Sequence, residues 1–280
     1  VAMTDRYSPT VRRRRLSSEL ARVRKQVDLK YEEIARRTKI PRSTINNIEI
    51  GKKQKPTIAE VTAILDACEV KDAREREAIL DLCRQSHVRG WWTRYRDVLP
   101  GQYVGFEAEA AKITTWEPLV IPGLLQVPDY VELLVRAALA KPSEVQRNIA
   151  ARTERQQLLD DANPPELWAV FDEGALNRLR KYPEILERQV THLLRRAEDP
   201  HVTIQITQAE DLHPGLAGPF VIMDFAAPID PPLVYLETDT DGLYLEEYEE
   251  VARYRQISDH LRLAALRPGE TIDRLREMIE

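Results

Sequence analysis

Leu29-Lys-Tyr-Glu-Glu-Ile-Ala-Arg-Arg-Thr-Lys-Ile-Pro-Arg-Ser-Thr-Ile-Asn-Asn-Ile-Glu-Ile-Gly-Lys52 is the stretch on which the reading of this chain turns. Tyr31 to Thr38 is a short helix with Ile34 and Ala35 as its inward pair. Lys39-Ile40 leaves room only for a tight turn, and Pro41 has the fixed φ that suits the first turn of a helix. The next helix, Arg42 to Glu49, turns Ile45 and Ile48 inward and Arg42, Ser43, Asn46 and Asn47 outward. Gly51 supplies the left-handed residue expected after its end. Two short helices joined in this way form a helix-turn-helix. Upstream, Leu16, Leu20, Val23 and Val27 recur every three or four residues, one stripe of a helix over 10–27. Downstream, Thr57-Ile-Ala-Glu60 is a capping box opening a fourth helix, with Ile58, Val61, Ile64 and Leu65 inside. A fifth starts at Asp72-Ala-Arg-Glu75 and carries Ile79, Leu80, Leu82 and Cys83.

The outward face of the third helix suggests its chemistry. Arg pairs bidentately with guanine and Asn with adenine in the major groove, so this face carries base-reading groups. Lys52, Lys53 and Lys55 stand where phosphate contacts would position it. Arg12-Arg13-Arg14-Arg15 reads either as a DNA-facing arm or as a solvated helix start. Tyr31 reads as a phosphate contact or as a locally packed surface aromatic. The same 29–52 stretch, within residues 16–68, resembles the Xre (Cro/repressor-like) helix-turn-helix family. The resemblance puts base contacts on Arg42, Ser43, Asn46 and Asn47, a phosphate contact on Tyr31, and a structural ion pair on Arg24 and Glu49. Thr44, Lys52, Lys53, Arg13 and Arg14 complete the expected DNA-binding set. The chain departs from the family at Lys30, where a Thr or Ser usually caps, and at Lys39, where the turn usually has Gly; each departure costs some local stability.

Charge supports a division of labour. The chain has 280 residues, 41 Lys+Arg and 46 Asp+Glu, a net charge of −5. Through Arg96 there are 23 basic and 13 acidic residues, a net of +10; from Asp97 onward 18 and 33 give −15. A basic head that binds a polyanion is thus joined to an acidic body. With 43% hydrophobic and 31% charged residues the composition is that of a globular protein, and the length suits two domains. No apolar run approaches the ~20 residues of a spanning helix. Two cysteines suit a reducing compartment, so a cytoplasmic, nucleoid-associated protein is expected. Cys83 and His87 share a helix face, but without CxxC spacing two buried thiols explain the cysteines better than a metal. No dinucleotide, P-loop or serine-nucleophile motif is present, and the five His lack metal spacing; no cofactor, metal or enzymatic activity is expected.

The expected domains are a helix-turn-helix head over 1–89, a Trp-rich packed hinge over 90–101 and a body over 102–280. In the body, helices are expected at about 103–113, 128–140, 143–161 (capped by Ser143-Glu-Val-Gln146), 183–198, 246–264 and 270–279. Strands are expected at 167–172, 202–207, 220–225 and 233–237. The fold class is thus an all-α five-helix head plus an α+β body, its mixed sheet of four or five strands flanked by helices. Asp172-Glu173 and Glu237-Thr-Asp239 are acidic neighbours for which solvated or structural roles are expected. Pro122-Gly-Leu-Leu-Gln126 either displays Leu124, Leu125 and Gln126 at a surface or packs its leucines inward.

Trp91-Trp92, Glu107-Ala-Glu-Ala110, Pro122-Gly-Leu-Leu-Gln126 with Asp129-Tyr130, and Arg155-Gln156 come in one order with Asp172-Glu173, His213-Pro-Gly215, Gly218-Pro-Phe220 and Val234-Tyr-Leu-Glu237. That order is similar to the antitoxin-like C-terminal domain of actinobacterial Xre-type regulators, the architecture of WhiJ-like developmental regulators. The resemblance implies a transcription factor with a small protein partner encoded by a neighbouring gene. Leu124, Gln126, Arg155, Glu173 and His213 are the candidate partner or effector residues; internal hydrogen bonds or ion pairs are the other reading of the polar ones. The expected partners are a pseudo-palindromic double-stranded DNA operator, a second copy of the chain, and that small protein or a small-molecule effector, with no membrane. An interaction protein that chiefly holds and neutralises its small partner is the alternative reading.

Overall fold

The computed structural model describes residues 9–88, 90–95, 97–99, 101–138, 141–208, 212–238 and 242–280. The chain forms two compact units, Val1–Arg94 and Tyr95–Glu280, so the Trp-rich stretch is divided between Arg94 and Tyr95. Within it, Trp91–Tyr95 is one 3-10 turn in which Trp92 is buried and meets Trp91 edge-on at 6.0 Å.

The first unit has five helices among its described residues: α1 (Pro9–Gln26), α2 (Tyr31–Thr38), α3 (Arg42–Glu49), α4 (Ile58–Ala67) and α5 (Ala73–Ser86). Leu16, Leu20, Ile34, Ile45, Ile48, Val61, Ile64, Leu65 and Ile79 meet in one core. Two expected core residues lie outside it. Val27 follows the last turn of α1, where Asp28 turns left-handed at φ 50°, and Ile58 opens α4 on its outer side. Lys30 provides no side-chain cap for α2, although Glu32 and Glu33 in the first turn suit the helix dipole. Lys39 takes the left-handed conformation, φ 61°, and its N–H closes on the Ala35 carbonyl at 2.9 Å. A Cβ-bearing residue in this conformation is strained by about 1 kcal/mol. The tightness of the turn to α3 demands it. The Thr57–Glu60 capping box is fully formed.

The second unit is built on a six-stranded sheet ordered β3-β2-β1-β4-β5-β6. The strands are β1 (Ala110–Glu117), β2 (Glu166–Asp172), β3 (Val202–Thr207), β4 (Phe220–Phe225), β5 (Leu233–Glu237) and β6 (Gly242–Leu245). β1, β2 and β3 run parallel, and β4, β5 and β6 continue antiparallel. The four strands expected are all present, and the sheet has two more. β1 was expected to be the end of a helix over 103–113; instead α6 (Gly101–Glu109) stops at Glu109 and the chain passes directly into the strand. Hydrogen-bonded on both sides, β1 is buried on both faces over Ile113–Trp116, so it lacks the alternation that marks a half-exposed strand. β6 is a four-residue edge strand, too short to stand out in the sequence.

Helices α7 (Pro128–Ala137), α8 (Pro142–Gln156), α9 (Gly174–Asn177), α10 (Pro183–Arg196), α11 (Tyr248–Ala264) and α12 (Pro268–Glu277) complete the unit. α8 starts at Pro142, one residue before the expected Ser143 cap, because Glu144 accepts the Lys141 N–H at 3.1 Å. On one face of the sheet Trp116, Val170, Phe220, Ile222 and Val234 pack under Val251 and Leu261 of α11. The opposite face receives α6, where Tyr103 lies 4.5 Å from Tyr235. Gly215 allows the closest approach: its carbonyl accepts the Trp116 indole N–H at 2.8 Å, and a Cβ there would fall 2.9 Å from both Leu261 and that indole nitrogen.

Candidate functional site

In the first unit α3 presents Arg42 and Ser43 fully outward and Thr44, Asn46 and Asn47 partly so. Arg42 reaches Glu32 at 2.9 Å, but both side chains are well exposed, so the pair holds weakly and can be exchanged at small cost. Among the described residues the Asn46 and Asn47 side-chain amides have no hydrogen-bond partner, which leaves their donors and acceptors available. Lys52 is exposed and likewise uncommitted. Lys53 differs from the expectation of a free phosphate contact, because its ammonium pairs with Glu60 of the capping box.

α3 is anchored from behind by a part-buried network around Glu49. Arg24 donates from Nε to both Glu49 oxygens at 2.9 and 3.0 Å and from Nη1 to the Leu29 carbonyl at 3.0 Å. The Tyr31 hydroxyl donates to Glu49 at 3.1 Å, and the Arg24 guanidinium lies 4.4 Å from the Tyr31 ring centre. The Tyr31 hydroxyl is thus engaged with Glu49 at the end of α3. Arg13 and Arg14 are half-buried, Arg13 reaching Gln54 at 3.4 Å, and Arg12 is buried, so the run is packed along α1. Cys83 Sγ and His87 Nε2 both meet the Pro56 carbonyl, at 3.2 and 2.7 Å. Burial pushes both thiols, Cys68 and Cys83, up to about 11. Among the described residues no three ligating side chains gather to hold a metal.

In the second unit the Pro122–Gln126 turn packs inward, with Leu124 and Leu125 buried. Gln156 donates to the Gly123 and Gln126 carbonyls at 3.0 and 2.6 Å, and Gln189 donates to the Leu125 carbonyl at 2.7 Å. The Gln126 side chain donates to the Ile121 carbonyl at 2.6 Å and accepts from Arg152 at 3.0 Å. Arg155 grips Glu107 of α6 with two hydrogen bonds, 2.5 and 2.7 Å, under the Tyr103 hydroxyl. Glu173 accepts twice from Arg274, at 2.8 and 3.1 Å, and also bonds Asn177. Asp172 accepts the Gly174 N–H and the Thr207 hydroxyl. His213 stands edge-on to Trp116 at 4.9 Å. Of the expected effector residues the structure brings Gln126 and Arg155 to one place, and puts Glu173 and His213 elsewhere in structural contacts.

That place is a cavity of about 550 Å3 at the carboxyl ends of β1 and β5. Its polar lining includes Arg152, Arg155, Glu117 and Glu237. The sheet register explains how the two carboxylates meet. Trp116 pairs with Phe220 and Val221 with Tyr235, so Glu117 one step beyond the first pair and Glu237 two steps beyond the second both align with Pro219, on strands either side of β4. Among the described residues neither carboxylate has a hydrogen-bond or ion-pair partner. Burial, and then the Glu237 charge, push Glu117 up to about 8 against the pull of Arg155 and Arg152. A carboxyl raised from its ordinary 4.5 stabilises the fold fully below that pH and loses this contribution as pH rises through about 8. Wild type is therefore expected to lose stability relative to Glu117→Gln between pH 5 and 9, measured as the difference between their urea midpoints. Taking the difference removes His192, which burial and then Arg196 and Arg195 push down to about 4 and whose contribution is lost as pH falls through that value. A flat difference curve would rule out a protonated Glu117.

A helix-turn-helix domain model matches residues 15–79, the segment from α1 into α5, and points to a DNA-binding regulator. No curated protein and no solved structure matches the chain. No helix among the described residues is long and apolar enough to cross a membrane. The model described as "Domain of unknown function (DUF5753)" matches residues 101–277, the sheet and its helices together. Since that match spans more than half of its length, the chain belongs to the DUF5753 family.

Proposed function

We propose that the protein is a sequence-specific transcriptional regulator of the Xre type, which binds operator DNA as a dimer and takes its signal through the DUF5753 unit. The exposed face of α3 carries the reading: Arg42 and Ser43 point outward, and Asn46 and Asn47 hold uncommitted amides on a helix fixed by Arg24, Tyr31 and Glu49. An eight-residue helix contacts only a few base pairs, so two copies reading a pseudo-palindrome in successive major grooves supply the specificity of an operator. The net charge of −15 from Asp97 onward favours contact through the head alone.

Footprinting on selected operator DNA tests this reading. Arg42→Ala and Asn47→Ala are each expected to cost about 1–3 kcal/mol on the preferred site and to relax the base preference at one position per half-site. Lys52→Ala is expected to weaken all sequences alike and to reduce the slope of log affinity against log salt by about 1. Unchanged footprints for both Arg42→Ala and Asn47→Ala would remove α3 as the reading element. A footprint one half-site long, with one chain per DNA, would remove the dimer. The antitoxin-like alternative puts a small protein partner on the second unit, and co-purification from the native cell separates it from a regulator that works without one.

A further inference from the structure

We infer that the cavity at the carboxyl ends of β1 and β5 binds a small organic cation, an amine or guanidine carried on an apolar or aromatic body. The site lies wholly within the second unit and does not rest on the DNA-binding reading.

Charge and hydrogen bonding select that ligand. Arg155 is already matched by the bidentate Glu107 carboxylate behind it, so it brings no free positive charge to the cavity. What remains is Arg152 against Glu117 and Glu237. Arg152 spends Nη1 on Gln126, while its Nε is buried with no acceptor. With both glutamates ionised the cavity is one positive charge short. Glu117 is half-buried and Glu237 exposed, and neither has a hydrogen-bond or ion-pair partner among the described residues; without a ligand, a proton kept on Glu117 offsets this deficit. An ammonium or guanidinium head placed between the two carboxylates satisfies both and replaces that proton.

An anionic ligand would reach Arg152 only by facing the two carboxylates. A neutral one would leave the deficit unchanged.

The spacing and the walls agree with a single cationic head on an apolar body. β1 and β5 stand either side of β4, so their backbones are roughly 9–10 Å apart. Half-buried Glu117 and exposed Glu237 both border the cavity, so a single ammonium or guanidinium can approach the two carboxylates together. Tyr103, Tyr235, Phe220, Leu134 and Val135 line the rest, and the tyrosine rings suit a cation's flank as well as an aromatic body. The groups facing Glu117 are Tyr103 from α6, Tyr130 from α7, Arg152 and Arg155 from α8, and Glu237 from β5. Burial raises both tyrosines above their ordinary range and lowers Arg152 from its own, while Glu107 raises Arg155 against its burial; Glu117 is the group here whose shift brings it near neutral pH.

Isothermal titration calorimetry on the full chain at pH 7 tests the site, with 2-phenylethylamine as probe and 3-phenylpropionate and 2-phenylethanol as its anionic and neutral counterparts. The amine should bind saturably at one site per chain, at least about tenfold more tightly than either counterpart. Binding should release up to about one proton, read from the difference in heat between two buffers of unlike ionisation enthalpy. Affinity should rise between pH 6 and 8. Glu117→Gln and Glu237→Gln should each weaken the amine by about tenfold or more, and Glu117→Gln should melt no lower than wild type. A merely structural Glu117 would instead lower the melting temperature and leave the proton count unchanged. Absence of saturable amine binding, equal affinity for the acid or the alcohol, or unaltered binding in both variants would each overturn the inference. DNA binding measured without amine decides the regulatory reading separately.

Discussion

Glu107→Ala is expected to cost the second unit about 3–5 kcal/mol and to lower its melting temperature by on the order of 10 °C. Glu107 is 1% exposed and accepts from Arg155 Nε, Arg155 Nη2 and the Tyr103 hydroxyl. Without it the guanidinium, 14% exposed, keeps its charge in the interior with the Tyr103 oxygen and ring beside it and no hydrogen-bonded carboxylate, only the cavity charges of Glu117 and Glu237 acting on it. The cost is therefore that of a stranded buried charge, larger than the loss of three hydrogen bonds would suggest. Urea unfolding with unchanged m should show it as a displaced midpoint. The double variant Glu107→Leu with Arg155→Met should recover most of the loss, because removing both charges leaves nothing unpaired. A single-variant shift below about 1 kcal/mol would mean that the Arg155 charge finds another partner.

Glu49→Ala should be the most damaging single change in the first unit, costing about 3 kcal/mol or more and abolishing operator binding. A glutamate in the last turn of α3 opposes the helix dipole, so local preference does not put it there. Tertiary pairing does: its side chain is 2% exposed and receives Arg24 and Tyr31 together. Alanine would leave Arg24 with the Leu29 carbonyl and Tyr31 but no carboxylate, and free the end of α3 that the network holds. Glu49→Gln keeps an acceptor for Tyr31 or Arg24 and should retain part of both stability and binding. Thermal melts followed by a mobility-shift assay separate the two effects. A Glu49→Ala protein that folds and reads its operator normally would show that the network does not position α3.

The first unit was almost wholly legible because its signals are local. The stripe Leu16, Leu20, Val23, the pair Ile45 and Ile48, the Thr57–Glu60 box and the left-handed Gly51 each act within a few residues, and the five helices follow. Even so, Lys53 and Tyr31, which look exposed by spacing, are occupied by Glu60 and Glu49 from other elements. In the second unit the four recognised strands are those whose apolar runs are bounded by turns. β1 escaped because Glu107-Ala-Glu-Ala110 continues a helical pattern and because a strand buried on both faces shows no alternation.

The sequence by itself determined the helix-turn-helix, its outward face and the contrast between a basic head and an acidic body, since these depend on spacing and composition. Only the tertiary structure decided which charges are answered. It matched Arg155 to Glu107, Arg274 to Glu173 and Arg24 to Glu49, and left Glu117 and Glu237 facing one cavity. Those two glutamates end separate strands far apart in the chain, and they meet because both strands pair with β4 in a register that aligns each with Pro219. Hydrogen bonding across the sheet sets that register, and no pattern within either strand encodes it.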